Sequence, residues 1–333
     1  MRLIIPMAGE GKRLRPHTFT TPKPLFPLLG KPVVEWLVEE VGRALAQPVE
    51  AMVFIVRELS ADHRAFLERL AQRWGSQAIF CTQSVPLGTA HALYQARDYL
   101  QGPCVILFAD TIFTSSAHIR PEADGALWVK EVADPRSYGV VELSPDGYIG
   151  RLVEKPPNPP SNLAIIGVYF LRQAEWLVPA IEYLFERDIR VKGEYQLTDA
   201  LQRLCEEGRR LQALPVEEWL DCGSRLLILQ AQARLLERGG TSLPSPPPSA
   251  HILPPVWIAP GAEVEASVIG PYVAIEAGAR VYRSILSHTL CRTGAVVEAS
   301  VLHNSLIGAH ACCRQAVGEI DLGDYSRYGV ESA

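Results

Sequence analysis

The sequence predicts an α/β chain in two parts: a doubly wound domain with a mainly parallel sheet, then a parallel β-helix. Three observations carry that prediction. Apolar runs alternate with helix-like segments as far as residue 238, a stretch rich in Pro, Ser and Gly interrupts them, and a nine-residue pattern then recurs three times.

The alternation begins at once. "RLIIPM" (2–7) is a continuous apolar run, as in a strand buried on both faces, and "VVEWLVEEVGRALA" (33–46) follows with helical spacing. "AMVFIV" then precedes "ADHRAFLERLAQRW", "AIFCTQ" precedes "GTAHALYQARDYL", and "CVILFAD" ends on Asp110. Runs that do not alternate polar with apolar indicate a mainly parallel sheet covered on both faces by helices. In such sheets ligands sit outside the carboxyl ends of the strands, where "AGEGKR" and Asp110 both fall.

"GGTSLPSPPPSAHILPP" combines residues that forbid helix and frustrate strand pairing, so 239–255 reads as a semi-rigid linker. It separates an expected domain over 1–238 from one over 256–333. In the latter, "GAEVEASVI" from Gly261, "GARVYRSIL" from Gly278 and "GAVVEASVL" from Gly294 share G-A-x-V-x-x-S-[VI]-[IL] at separations of 17 and 16 residues. Aliphatic residues recur within it at steps of about six, the hexapeptide coil of a parallel β-helix, and about three coils are expected.

Composition limits the function. A net charge of -5 argues against general binding to nucleic acid or to a membrane surface, which need a basic face, so any anion site is local. No apolar stretch approaches ~18 residues and no secretory h-region opens the chain, so a cytoplasmic protein is expected. Seven cysteines, odd in number and without a CxxC pair, suggest reduced thiols rather than disulfides or zinc.

The cationic opening fits neither common phosphate template. A P-loop would need Gly where Pro6 stands and Ser or Thr where Arg13 stands. The dinucleotide fingerprint starts with Gly9 and Gly11 but has Leu14 for its third glycine, with no acidic residue about 20 positions on. What remains is a loop whose glycines let backbone N–H groups approach an anion, followed by Lys12, Arg13 and Arg15. Between Gly11 and Val34 lie five Lys or Arg and no Asp or Glu, which points to a polyphosphate.

"AGEGKRLRP...TTPKPLFPLLGKP" closely resembles the opening signature of the sugar-1-phosphate nucleotidylyltransferases. The resemblance runs on in family order through "QSVPLGTAHAL", "FAD", "YGVVELSPDGYIGRLVEKP", "SNLAIIGVYF", "GEYQLTDAL" and "WLDCG", covering the whole first domain. With "DLGDYSRYGV", the tail is most similar to the longer glucose-1-phosphate thymidylyltransferases. The resemblance implies a Rossmann-like nucleotidyltransferase domain, a left-handed β-helix, and in-line attack of a sugar 1-phosphate on the α-phosphorus of dTTP or UTP.

It also implies roles for individual residues. Arg13 and Lys23 neutralise phosphate charge, Lys23 being held between Pro22 and Pro24. Asp110 and Asp221 hold Mg²⁺ between them, hard oxygen donors suiting a hard cation. Ala8, Gly9, Gly11, Arg13, Gln83 and Gly88 receive the nucleotide, the Gln83 amide complementing the imide edge of uracil or thymine. Gly139, Glu154, Lys155, Ile165 and Glu194 line the place for a sugar phosphate, glucose 1-phosphate first. Lys12 stands where the family has Thr, and "TPKPL" is closer to uridylyl-, adenylyl- and mannose-specific relatives, leaving nucleotide choice open. A homo-oligomer is expected, with the tail as its structural element. Two alternatives stay open: a β-helix acyltransferase using His288, His303 or His310, and a non-catalytic regulatory subunit.

Overall fold

The computed structural model describes residues 1–45, 47–244, 247 and 249–329. Residues 245, 246 and 248 of the expected linker and 330–333 of the tail lie outside the described residues. The chain divides into two compact bodies. One comprises Met1–Gly9 and Val34–Trp219, the other Glu10–Val33 and Leu220–Ala333.

The first body is built on a nine-stranded sheet. Its strands Gln77–Thr82, Ala51–Val56, Arg2–Pro6 and Cys104–Leu107 are parallel, in that order, with Ile4 opposite both Val53 and Ile106. These are the continuous apolar runs of the sequence, and Ile4, Val53, Ile55 and Ile106 are wholly buried. Helices Thr89–Gln95, Leu177–Glu186 and Leu197–Glu206 pack on them through Leu93, Ile181 and Leu201. Each large aliphatic side chain buried this way stabilises the fold by about 1.5–3 kcal/mol.

Past Cys104–Leu107 most pairings are antiparallel, with Leu211–Pro215 joining Gly125–Glu131 in parallel. Strand Leu163–Leu171 pairs with Cys104–Leu107 and with both Gly139–Leu143 and Gly125–Glu131, shifting register between Ile165 and Tyr169. Gly167, at φ +87°, sits at that shift and lies against Phe108. The sheet is therefore mixed, parallel through the first four strands and forked beyond them.

In the second body, short strands stack into three five-stranded parallel sheets, the arrangement of a β-helix and consistent with the left-handed form. Val256, Val273, Val281, Leu286, Val297, Leu302, Ile307 and Cys313 fill its interior. The described residues form five rungs where the sequence pattern indicates about three. The outer rungs keep the inward aliphatics but lack the G-A-x-V frame, as in "HACCR", and so escape a repeat search. The repeated serine has a defined task. Ser267, Ser284 and Ser300 each accept at Oγ the backbone N–H of the equivalent corner one rung on, at 3.1 Å. Each hydroxyl donates in turn to a carbonyl two residues back. Buried corners are thereby satisfied without water.

Candidate active site

Within the first body, the hairpin of Gly139–Leu143 and Ile149–Glu154 brings Gly139 opposite Glu154. Glu154 Oε2 accepts from Thr198 Oγ1 at 2.6 Å, and Oε1 pairs with Lys155 Nζ at 2.9 Å. Lys155 takes a left-handed backbone, φ 44°, which turns it out of the strand. Gly139 forms the floor: a Cβ there would lie 2.9 Å from Glu154 Oε2 and 3.1 Å from both Ile165 Cδ1 and Thr198 Oγ1. The structure thus brings together Gly139, Glu154, Lys155 and Ile165, and adds Thr198.

Neighbouring groups feel this carboxylate. Burial, then the charge of Glu154, pushes the Asp199 carboxyl up to about 6, and Asp199 Oδ2 is buried with no hydrogen-bond partner among the described residues. Burial raises the Tyr169 phenol, with Glu154 and Asp110 adding to the effect. Asp110 is half-buried just beyond strand Cys104–Leu107, its N–H donating to Phe108 O at 2.9 Å.

A second group forms around Gln83, which is buried. Its Nε2 donates to Gly88 O at 3.1 Å and reaches His91 Nδ1 at 3.0 Å. Burial holds the His91 imidazole below its ordinary value, which suits an accepting nitrogen. Gly88, at φ +114°, packs so closely on Tyr195 that a Cβ would collide with its backbone and lie 3.0 Å from Glu194 Cβ. Glu194 is exposed and accepts from Gln196 Nε2 at 3.1 Å. Ala8 is buried at the end of the first strand's run, whereas a Cβ on Gly9 would meet no atom within 4 Å among the described residues.

Within the second body, the loop from Glu10 curls on itself. Thr18 Oγ1 donates to Gly11 O at 3.0 Å, and Gly11, at φ +60°, lies against Thr18 and the Cβ of Lys23. Lys23 begins a short 3-10 turn through Leu25 with Pro22 and Pro24 fixing its backbone. The cations are not equivalent. Lys12 Nζ and Arg15 Nη2 both reach Glu10 Oε2, at 3.1 and 3.4 Å, and are largely exposed. Arg13 turns instead to Gly223, where a Cβ would stand 2.8 Å from Arg13 Nη2 and 2.6 Å from Asp221 Oδ1. Asp221 Oδ1 also accepts the Gly223 N–H at 2.6 Å. Gly11 thus lies against Lys23, and Arg13 and Asp221 both lie beside Gly223.

Among the described residues no group of three or more His, Cys, Asp or Glu side chains is poised to hold a metal. The donor chemistry on hand is the carboxylate oxygen of Asp110 and of Asp221. The three histidines named for an acyltransferase all have neighbours. His288 packs on Tyr272 and His310 on Tyr325, and His303 lies 3.8 Å from Glu319.

Sequence reasoning passed over Thr198, Asp199 and His91, although "GEYQLTDAL" and "GTAHAL" contain them. It also missed His17, Arg292, Asp321 and Asp324, whose partners lie far off along the chain and follow no local spacing.

Comparison with known proteins gives four findings. The family model described as "Nucleotidyl transferase" matches residues 3–238. The glucose-1-phosphate thymidylyltransferase of Streptomyces griseus is 29% identical, with both chains covered in full. The bifunctional protein GlmU of Methanocaldococcus jannaschii is 31% identical over 73% of this chain and 56% of its own length. Among solved structures, a UDP-glucose pyrophosphorylase complexed with UDP-glucose superposes with TM-score 0.58 at 24% identity, over 71% of this chain and 98% of that one, a likeness of fold.

Proposed function

The chain belongs to the nucleotidyl transferase family, and from that membership we propose that it joins a nucleoside triphosphate to a sugar 1-phosphate, with release of pyrophosphate. The observation that carries the sugar half is the Glu154–Lys155 pair over the Gly139 floor. It sets an acceptor for sugar hydroxyls beside a cation for the 1-phosphate. Glucose 1-phosphate with dTTP or UTP is the favoured pair, supported by the full-length likeness to a glucose-1-phosphate thymidylyltransferase.

An oxygen of the sugar phosphate attacks the α-phosphorus; the bond to the bridging oxygen of the β-phosphate breaks, and pyrophosphate leaves with that electron pair. Attacking and attacked groups are both anionic, so neutralisation and alignment dominate. Arg13 suits bidentate contact with phosphate oxygens, and Lys23 supplies a point charge held by its prolines. Both Gln83 donor hydrogens face Gly88 and His91, so its Oε1 is left to accept a pyrimidine imide N–H, with Gly88 N–H as the complementary donor. Asp110 and Asp221 are each suited by their carboxylate oxygens to hold Mg²⁺, which when bound supplies positive charge to the triphosphate.

We place the protein in the cytoplasm. Among the described residues no two cysteines are joined in a disulfide, and no helix is long and apolar enough to cross a membrane. A second copy of the chain is the proposed partner. Val268, Ile285, Val301 and Val317 stand in register on one β-helix sheet, the last three 50%, 46% and 79% exposed. The test of the activity is pyrophosphate release from each nucleoside triphosphate against a panel of sugar 1-phosphates with Mg²⁺. Release with no pair would overturn the proposal.

A further inference from the structure

The segment Gly11–Pro32 carries Arg13 and Lys23 yet contains little regular structure. It has three 3-10 turns of three residues each and the two-residue pairing of Pro27–Leu28 with Lys31–Pro32. Such turns have poor hydrogen-bond geometry and do not hold a long segment by themselves. An outside template is needed, and the β-helix of the same body supplies one through three contacts.

His17 is wholly buried. Its Nε2 meets Asp321 Oδ1 at 2.7 Å, while Nδ1 has no partner among the described residues. Thr20 Oγ1 donates to Asp324 Oδ2 at 2.6 Å. The ring of Phe26 lies under the Arg292 guanidinium, 4.8 Å from its carbon. Arg292 and Asp324 are joined, Nη1 standing 3.1 Å from Oδ1, with side chains only 8% and 4% exposed. Ala309 N–H also donates to Asp324 Oδ1, at 2.8 Å. Behind Arg292, Glu276 is buried, its Oε2 held by the N–H and hydroxyl of Thr293. Close approach is built in as well, since a Cβ on Gly323 would stand 3.0 Å from Pro16.

These anchors bracket the two cations: His17 lies four residues after Arg13, Thr20 three before Lys23, and Phe26 three after it. A buried ion pair is a poor source of net stability, and its best attested use is to select one arrangement over others. We infer that Asp321, Asp324 and Arg292 are positioning residues for the phosphate loop, so that the β-helix sets the alignment of nucleotidyl transfer without touching substrate. The inference rests on the function proposed above.

The test uses full-length variants: Asp321→Ala, Asp321→Asn, Asp324→Ala and Thr20→Val, with Ser300→Ala as a control that disturbs the β-helix away from the loop. Hydrogen exchange of peptides spanning residues 11–28 should accelerate about tenfold or more in Asp321→Ala and Asp324→Ala, reporting local opening. Their kcat/KM for the nucleoside triphosphate should fall roughly 10–100-fold, the scale of a displacement near 1 Å, while KM for the sugar 1-phosphate holds. Asp321→Asn, whose amide oxygen still accepts from His17, should recover both. Thr20→Val should move both in the same direction, and it carries the test should Asp324→Ala fail to fold. Ser300→Ala should lower Tm alone. Unchanged loop exchange in Asp321→Ala and Thr20→Val, or kinetics that track Tm as in the control, would overturn the inference. A wild-type protein that releases no pyrophosphate would sink the activity reading instead, and exchange alone would then decide whether the β-helix holds the loop.

Discussion

Gly139 leaves no room for a methyl group between Glu154, Ile165 and Thr198. Gly139→Ala should therefore raise KM for the sugar 1-phosphate about tenfold while leaving KM for the nucleotide unchanged; equal effects on both would detach Gly139 from the sugar. Asp110→Asn and Lys23→Ala should each lower kcat on the order of 10²-fold or more in a folded protein, measured by pyrophosphate release. Asp199 gives a pH effect. Its carboxyl is raised to about 6 from 3.8, so between those values the folded chain holds a proton that the unfolded chain has lost. The stability this supplies is complete below the lower value and is lost as pH rises through the upper one. Asp199→Asn should then stabilise the fold more at pH 8 than at pH 5, by on the order of 1 kcal/mol after discounting for solvent screening, as read from unfolding at both pH values; an equal effect at both would count against it. Glu154 and Lys155 could be read from "VEKP" by resemblance, but the burial that perturbs Asp199 could not, because it comes from helix Leu197–Glu206 packing behind the hairpin.

The serine ladder makes a prediction for the β-helix as an element. Ser284→Ala removes the acceptor for the Ser300 N–H and should destabilise the protein by about 1–2 kcal/mol in thermal or urea unfolding, with kcat/KM unchanged. Elements were legible where burial is simple. Strands Arg2–Pro6, Ala51–Val56 and Cys104–Leu107 are covered on both faces and read as unbroken apolar runs. The antiparallel half was not read, because Gly139–Leu143 ends in exposed Glu142 and Leu143, and Leu163–Leu171 divides its pairing among three neighbours. In the β-helix, the middle rungs carry the G-A-x-V frame. The outer ones keep only the inward side chains that packing demands.

For the molecule as a whole, Ile285→Glu with Val301→Glu places charge on the exposed aliphatic row. If a second copy covers that row, light scattering should show the mass fall to that of one chain; an unchanged oligomer would place the contact elsewhere. The hydrogen bonds that hold the phosphate loop were invisible in the sequence for a reason of distance, since His17 and Asp321 lie 304 residues apart and share no spacing rule. That separation has a meaning in time. A ribosome adds about 5–20 residues per second, so roughly 15–60 s pass between synthesis of the loop and arrival of the aspartate that steadies it. The nucleotide signature emerges early, and a nascent or interrupted chain would display it before the last coils exist to hold it in shape. Catalysis is thereby tied to a finished polypeptide, and fragments would be kept from consuming nucleoside triphosphate.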